Sequence, residues 1–239
     1  MRFFLLSIVL SWGLSCQPNE KKNSNTIGPP ILPTKKLNAA FLIVDGVYNS
    51  ELIAPMDVFQ HTIFHTDHGI HVFTIAPTMD TITSFEGLNI LPDYSFHDVY
   101  PEIDILIVPS AKHSMDIDLE NKDLIEFVNQ KGRKSLYIIS LCDGAFLLAQ
   151  AKLLDTYECT TFPGDIARFK NRFPQLTVHD NVSFVHDRKV ITSAGGAKSY
   201  DAALYLVELL YGKKVADGIA KGLVIDWDAS QIKQVRTNR

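Results

Sequence analysis

Short segments of almost purely apolar residues alternate with segments of helical spacing along most of the chain, and this alternation limits the fold more than any other feature. Residues 39–44 and 103–108 are two such apolar runs, ended by Asp45-Gly46 and by Pro109. A strand without alternating polar residues is covered on both faces, as in a parallel sheet packed between helices. The sequence therefore predicts an α/β fold with a doubly wound, mostly parallel sheet sandwiched by helices.

The predicted strands cover residues 39–44, 71–76, 103–108, 136–140, 159–161, 182–185 and 190–192. The predicted helices cover residues 50–65, 118–130, 144–151, 164–172 and 199–211, with a hairpin in 81–91 and a last helix and extended tail in 211–227. In such sheets a ligand binds beyond the carboxyl ends of the strands. This rule selects the loops at 45–51, 109–113, 142–143 and 194–199.

The first 16 residues have the pattern of a secretory signal peptide. Arg2 precedes an apolar run over 3–14, which is too short to span a bilayer core of about 30 Å as a helix. The run ends at Gly13-Leu14-Ser15-Cys16, which resembles the lipobox of bacterial lipoproteins, although the usual leucine position holds Gly13. We therefore expect export and lipidation of Cys16, giving a membrane-anchored bacterial lipoprotein that faces the periplasm or the exterior. A buried N-terminal strand is the alternative.

Residues 17–36 are polar and contain the breakers Gly28, Pro29, Pro30 and Pro33. Such a segment buries too little apolar surface to offset its ordering entropy, so it is predicted to be a disordered tether. No second linker or internal repeat follows, and residues 37–239 are interpreted as one domain.

Composition excludes several classes of protein. The 239 residues include 23 Lys plus Arg and 27 Asp plus Glu, a formal net charge of −4, and no basic stretch is interleaved with aromatic residues. A nucleic-acid partner is therefore not expected. Three cysteines are too few for a disulfide framework, so each is considered separately.

Cys142 lies at the predicted turn between a buried strand and a helix, followed by Asp143 and Gly144. This is the placement of a nucleophile elbow, where the helix N-terminus favours a thiolate and lowers the pKa of the thiol. Cys142 is therefore a candidate nucleophile. The alternative is a buried core cysteine, which is the interpretation adopted for Cys159.

Three segments resemble the ThiJ/PfpI superfamily, whose members share the flavodoxin-like, class I glutamine-amidotransferase-like fold. They are the run 51–59, the turn at Cys142 with its helix, and the run 192–204, which contains Gly195 and Gly196. The resemblance implies that Glu51 hydrogen-bonds the reactive Cys142, that Gly195 and Gly196 line the site, that no cofactor is needed and that the protein is a homodimer. The nearest subgroups are isocyanide-hydratase-like and arabinose-regulator-like domains.

Two positions differ from the superfamily pattern. Phe162 stands where members with a Cys-His pair carry histidine, and it is kept as a site-lining candidate. Ser110-Ala111 replaces a Gly-Gly pair, so the backbone N–H groups of Ala111 and Asp143 are the expected oxyanion donors.

If Glu51 and Cys142 are in hydrogen-bond contact, the two groups share one proton. The helix N-terminus then predicts a thiolate on Cys142 and a protonated Glu51 that acts as a general acid. Alternatively, Glu51 only complements the dipole of its own helix.

The histidines offer weaker candidates. His113 is the one that the sheet-end rule places near the site, whereas His179 and His186 could complete a triad but are expected to be exposed. The four histidines from 61 to 71 lack the spacing of a zinc site, and no metal is predicted.

Together, these features predict an exported, cysteine-dependent enzyme acting on a small electrophile. The reaction would be of the hydratase, lyase or hydrolase type, on an isocyanide or a reactive carbonyl. The alternative is a non-catalytic ligand-binding or oxidation-sensing module that uses Cys142.

Overall fold

The computed structural model describes residues 27–237 and contains a central eight-stranded sheet of order β12-β10-β11-β7-β6-β1-β2-β5. The strands are β1 Leu37–Leu42, β2 Ile70–Ala76, β3 Ile82–Thr83, β4 Asn89–Ile90, β5 Tyr94–Ser95, β6 Ile105–Val108, β7 Tyr137–Leu141, β8 Glu158–Cys159, β9 Thr177–Val178, β10 Phe184–Asp187, β11 Val190–Ser193 and β12 Gln234–Thr237. Within the described residues, every neighbouring pair in that sheet is parallel except β10 with β11. The predicted mostly parallel α/β fold is confirmed.

Helices cover both faces of the sheet. They are α1 Asn49–Gln60, α2 Lys122–Lys134, α3 Gly144–Gln150, α4 Ile166–Arg172, α5 Ser199–Tyr211 and α6 Lys213–Gly222. Four short 3-10 turns join them, at His61–Phe64, Ile117–Glu120, Pro163–Asp165 and Gly196–Lys198. Side chains alternate between the faces along each strand, so Phe41 of β1 packs in the layer with α1 and α5, while Leu42 packs in the layer with α2 and α3.

The start of α2 differs from the prediction. The sequence predicts a helix from residue 118, whereas α2 begins at Lys122 because the Asn121 side chain accepts a 3.1 Å hydrogen bond from the Leu124 N–H. That side chain satisfies a backbone donor at the helix start. The preceding residues, Ile117–Glu120, form a separate 3-10 turn.

The short and edge elements also differ from the prediction. The strand predicted at 159–161 is Glu158–Cys159, and the one predicted at 182–185 is Phe184–Asp187. The region predicted as a last helix and tail contains α6, and β12 follows as the parallel neighbour of β10.

The hairpin predicted in 81–91 is confirmed by the antiparallel pairing of β3 with β4.

The predicted signal peptide, Cys16 and the first part of the predicted tether lie outside the described residues. Within the described part of the predicted tether, the N–H groups of Ile31 and Leu32 donate to the carbonyls of Leu209 and Leu210 at the end of α5. Over residues 27–237, no helix has both the length and the apolar character needed to cross a membrane.

Candidate active site

Four loops meet at one edge of the sheet. They follow β1, β6, β7 and β11, which are parallel neighbours and therefore end on the same side. This is the edge that the sequence selects for a ligand site. The side chains of Glu51, Ser110, Cys142 and Asp143 come from these loops and the helices that they enter.

Cys142 is the turn between β7 and α3. Its φ of 51° lies in the left-handed region that side chains rarely adopt, and its N–H donates to the Ser193 carbonyl at 3.0 Å. Such strained conformations are held by the surrounding structure and cluster at functional sites. The residue is 8% exposed, which leaves the sulfur close to solvent but mostly enclosed.

Two glycines let the backbone close around this turn. A Cβ on Gly144 would lie 2.0 Å from the Val108 carbonyl oxygen, and one on Gly195 would lie 2.3 Å from the Cys142 Cβ. No side chain fits at either position, so Gly195 is in direct contact with the turn. Gly196 borders the site through its N–H, which donates to Glu51.

Glu51, from the first turn of α1, is 4% exposed and faces the sulfur. Its Oε2 accepts a 2.5 Å hydrogen bond from Ser110 Oγ, and its Oε1 accepts a 3.1 Å bond from the Gly196 N–H. Burial raises the pKa of the Glu51 carboxyl, whereas hydrogen bonds from Ser110, Gly196 and the Cys142 thiol oppose that rise. The structure thus places the Cys142 thiol beside the Glu51 carboxyl.

The electrostatics do not favour the predicted thiolate. Burial, followed by the charges of Glu51 and Asp143, raises the pKa of Cys142 well above that of a free thiol. Ser110 and the Asp143 N–H, which lie close to the sulfur, act in the opposite direction, but their effect is smaller. Since α3 has only seven residues, its terminus does not outweigh two adjacent carboxyl groups. The resting group is therefore a thiol, with the Glu51 carboxyl beside it.

Asp143 takes a position that sequence reasoning missed. Its side chain does not cap α3; instead its Oδ1 accepts a 3.0 Å bond from Thr161 Oγ1, and its carboxyl interacts with the charge of Asp165. Burial first, and then the charge of Asp165, raise the pKa of Asp143 to about 6. The Asp143 N–H lies close to the sulfur, and its use as an oxyanion donor stays a prediction.

Ala111 does not have the predicted free donor. Its N–H donates to Ser114 Oγ at 2.8 Å, and the residue pairs with Val47 in an isolated bridge. The loop after β6 turns so that Ser114 satisfies this N–H, leaving Ser110 as the residue of that loop that contacts Glu51. Only the position of Ser110 at a strand end hinted at this role.

Tyr48, the residue before α1, is a further neighbour that the sequence did not indicate. Burial is the largest cause of the raised pKa of its phenol. Cys142, Glu51 and Asp143 make smaller contributions, so the Tyr48 side chain lies near these three residues. The Tyr48 ring also packs at 4.6 Å from that of Phe85.

The remaining candidates lie apart from this group. His113 Nδ1 is 3.1 Å from Asp116 Oδ1, so its contact is with an acid of its own loop. Phe162 is 42% exposed and follows Thr161, at the rim of the site. His179 bonds Glu158, and His186 bonds Tyr205 and the Arg188 carbonyl, so neither is placed as a triad base. His186 is also more buried than expected, and burial lowers its pKa.

The side chains that could bind a metal ion do not form a cluster in the described residues. Within the described part of the chain, no three His, Cys, Asp or Glu side chains are placed to hold an ion. Cys159 is a fully buried thiol whose pKa burial raises to about 12, which agrees with its interpretation as a core residue.

Comparison with known proteins agrees with the fold. The chain is 26% identical over 183 residues to the isonitrile hydratase of Pseudomonas putida, covering 75% of each chain. It is 26% identical over 144 residues to the HTH-type transcriptional regulator GbdR of Pseudomonas aeruginosa, covering 59% of this chain but only 37% of the regulator. A solved ThiJ/PfpI family protein from Pseudomonas syringae superposes with a TM-score of 0.70 at 23% identity, covering 90% of this chain and 84% of that one.

The model of the DJ-1/PfpI family matches residues 37–209, a stretch that runs from the start of β1 into α5. Glu51, Cys142 and Gly195, on which the sequence resemblance rests, all lie inside it. With the fold shared and most of the chain matched, this protein belongs to the DJ-1/PfpI family.

Proposed function

We propose that the protein is a cysteine-dependent enzyme that adds water, or a related small group, to a small electrophile. One observation carries the proposal: Cys142 is held at a φ of 51° beside the buried Glu51. A strained nucleophile beside an acid–base partner is the arrangement that covalent catalysis requires.

The proton transfer follows from the two raised pKa values. Burial makes Glu51 a stronger base than an ordinary carboxylate, so it can take the thiol proton as the sulfur attacks. The sulfur forms a bond to the electrophilic carbon, and the electron pair displaced from the carbon–heteroatom bond takes the proton back from Glu51. The sum is the addition of S–H across a C=O or C=N bond, or to the carbon of an isocyanide.

The substrate class comes from both the site and the relatives. A nearly buried thiol beside two carboxyl groups favours a small, neutral electrophile over an anion, because the site already holds negative charge. Similarity to an isonitrile hydratase over three quarters of the chain supports an isocyanide, with a reactive carbonyl such as methylglyoxal as the second choice.

Turnover of benzyl isocyanide and methylglyoxal tests the proposal. Cys142→Ser should abolish product formation from both substrates while the fold and the thermal stability stay those of the wild type. Cys159→Ser, at the matched buried cysteine, should leave product formation unchanged. Equal turnover by the Cys142→Ser variant and the wild type would contradict the proposal.

A second candidate function is a ligand-binding or oxidation-sensing module. The similarity to a transcriptional regulator and the exposed Phe162 in place of histidine favour it. Binding of these compounds without turnover, or reversible oxidation of Cys142 to a sulfenic acid at low peroxide, would support this alternative.

Export, lipid anchoring and dimerisation are further parts of the proposal. They rest on the sequence of residues 1–16 and on the resemblance. Mass spectrometry of the membrane fraction should find an acylated Cys16, and a Cys16→Ser variant should leave that fraction. Analytical ultracentrifugation of the exported domain should give the mass of a homodimer; a monomer would contradict the dimer.

A further inference from the structure

Two carboxyl groups, those of Asp143 and Asp165, meet beside Cys142 in a way that the reaction above does not use. Asp143 is 8% exposed and directly follows the nucleophile, and Asp165 ends the 3-10 turn Pro163–Asp165. The charge of Asp165 raises the pKa of Asp143, so the two carboxyl groups lie close enough to interact. The pair therefore places a carboxyl group of raised pKa next to the sulfur.

The carboxyl of Asp143 is kept away from its ordinary helical partner. At the first position before α3 an aspartate normally accepts a backbone N–H, but here that bond is missing. Thr161 Oγ1 donates to Asp143 Oδ1 at 3.0 Å and also to the Cys142 carbonyl at 3.1 Å. The threonine thus fixes the acid and the nucleophile relative to each other.

We propose that Asp143 is a second acid–base residue of the Cys142 site, acting on the water that releases the product, with Asp165 as its positioning residue. This inference rests on the proposed function and extends it. The positioning residue Asp165 lies on the same segment as Phe162, where the resemblance leads one to expect a histidine.

The release step balances as follows. A water oxygen bonds to the carbon held on the sulfur, and the water proton passes to the Asp143 carboxylate. The electron pair of the C–S bond returns to the sulfur, which takes that proton from Asp143 and is again a thiol. The carbon keeps the OH; for an isocyanide adduct, the resulting N=C–OH group rearranges to a formamide.

The surroundings determine when Asp143 is a base. The charged and titratable groups facing it are Asp165 from the 3-10 turn, Glu51 from α1, and Cys142 and Tyr48 at the site. Burial first, and then the charges of Asp165 and Glu51, raise the pKa of Asp143 to about 6, whereas the hydrogen bond from Thr161 opposes the rise. Asp143 therefore ionises below neutral pH, yet is a stronger base than an exposed aspartate.

Mass spectrometry of the full chain during turnover of benzyl isocyanide separates the two chemical steps. With the wild type, we expect product and little adduct. With Asp143→Asn, we expect the adduct on Cys142 to form and to accumulate, with release slowed at least about tenfold. The exposed Asp67→Asn is the matched control and should behave like the wild type.

The pH profile of release provides the second readout, which a purely structural role would not change. In the wild type the release rate should rise with pH through about 6. Asp165→Asn, which leaves Asp143 in place, should move this rise to lower pH because a like-charged neighbour is removed. Wild-type release by Asp143→Asn, or an unmoved rise in Asp165→Asn, would overturn the inference. If no protein forms an adduct, the proposed function itself fails.

Discussion

Ser110 Oγ donates a 2.5 Å hydrogen bond to Oε2 of Glu51, the carboxyl group that faces the Cys142 sulfur. Both residues are almost fully buried. The bond stabilises the ionised carboxylate and so opposes the effect of burial on the pKa of Glu51. Ser110 thus determines how readily Glu51 accepts the thiol proton.

Replacing Ser110 by alanine should therefore impair catalysis without removing any reacting atom. A hydrogen bond to a buried charge contributes about 1.5–3 kcal/mol, so we expect kcat/KM to fall by roughly 10- to 100-fold. Loss of the donor also raises the pKa of Glu51, and the acidic limb of the pH–rate profile should move to higher pH. Ser114→Ala, on the same loop, is the control, because Ser114 bonds Ala111 and not Glu51. An unmoved limb in Ser110→Ala would show that the bond does not affect Glu51.

Gly195→Ala should disrupt the turn that holds Cys142. The new Cβ would lie 2.3 Å from the Cys142 Cβ, and the residue has a φ of +79°. A left-handed backbone alone costs about 1–2 kcal/mol, and the clash adds to that cost. Gly87→Ala is the matched control, since it has a φ of +91° and open space around the position. Chemical denaturation should show a larger loss of unfolding free energy for Gly195→Ala than for Gly87→Ala. Equal losses would mean that the turn at Cys142 adjusts to the new Cβ without cost.

The pH dependence of stability should report Asp143. Its pKa is about 6 in the fold against the ordinary 3.8, so the folded chain binds more protons than the unfolded chain between these values. The contribution of Asp143 to the free energy of unfolding, roughly 3 kcal/mol, is therefore present below pH 4 and is lost as the pH rises through about 6.

Urea denaturation at several pH values measures this effect as a difference between variants. The stability of Asp143→Asn relative to the wild type should increase as the pH rises from about 4 to about 7. Asp67→Asn, an exposed aspartate, should follow the wild type at each pH. If the difference in unfolding free energy between Asp143→Asn and the wild type is the same at every pH, Asp143 titrates like an exposed aspartate.

Asn121→Ala should shorten or weaken α2. The side chain accepts the Leu124 N–H at 3.1 Å, and loss of such a cap costs about 1 kcal/mol. Hydrogen exchange of the first turn of α2 should become faster, while α5, which has no side-chain cap, should keep its exchange rates. Unchanged exchange at Leu124 would contradict a role for the cap.

The central sheet could be predicted from the sequence because its strands are buried on both faces. The runs that became β1, β6 and β7 contain few polar residues, and no other element leaves so clear a pattern. Two-residue strands such as β8 and β9 have no periodicity to detect, and β12 is defined mainly by its pairing with β10.

The site was only partly predictable, for a physical reason. The neighbourhood of Glu51 and Cys142 follows from topology, because parallel strands end at one edge. The ionisation state of Cys142 does not follow from topology. It depends on burial and on the position of the Asp143 carboxyl, and the spacing of residues in the sequence reveals neither. Likewise, the Ala111 N–H is taken by Ser114 through a loop conformation that the sequence does not specify.

The most direct test compares thiol reactivity with turnover in Glu51→Gln. This change removes a negative charge that raises the pKa of Cys142, so the midpoint of alkylation by iodoacetamide should move to lower pH. It also removes the group that accepts and returns the proton, so turnover of benzyl isocyanide should fall by at least about 100-fold. A more reactive thiol with less catalysis is the predicted result. A less reactive thiol, or turnover that survives the change, would contradict the shared proton between Glu51 and Cys142.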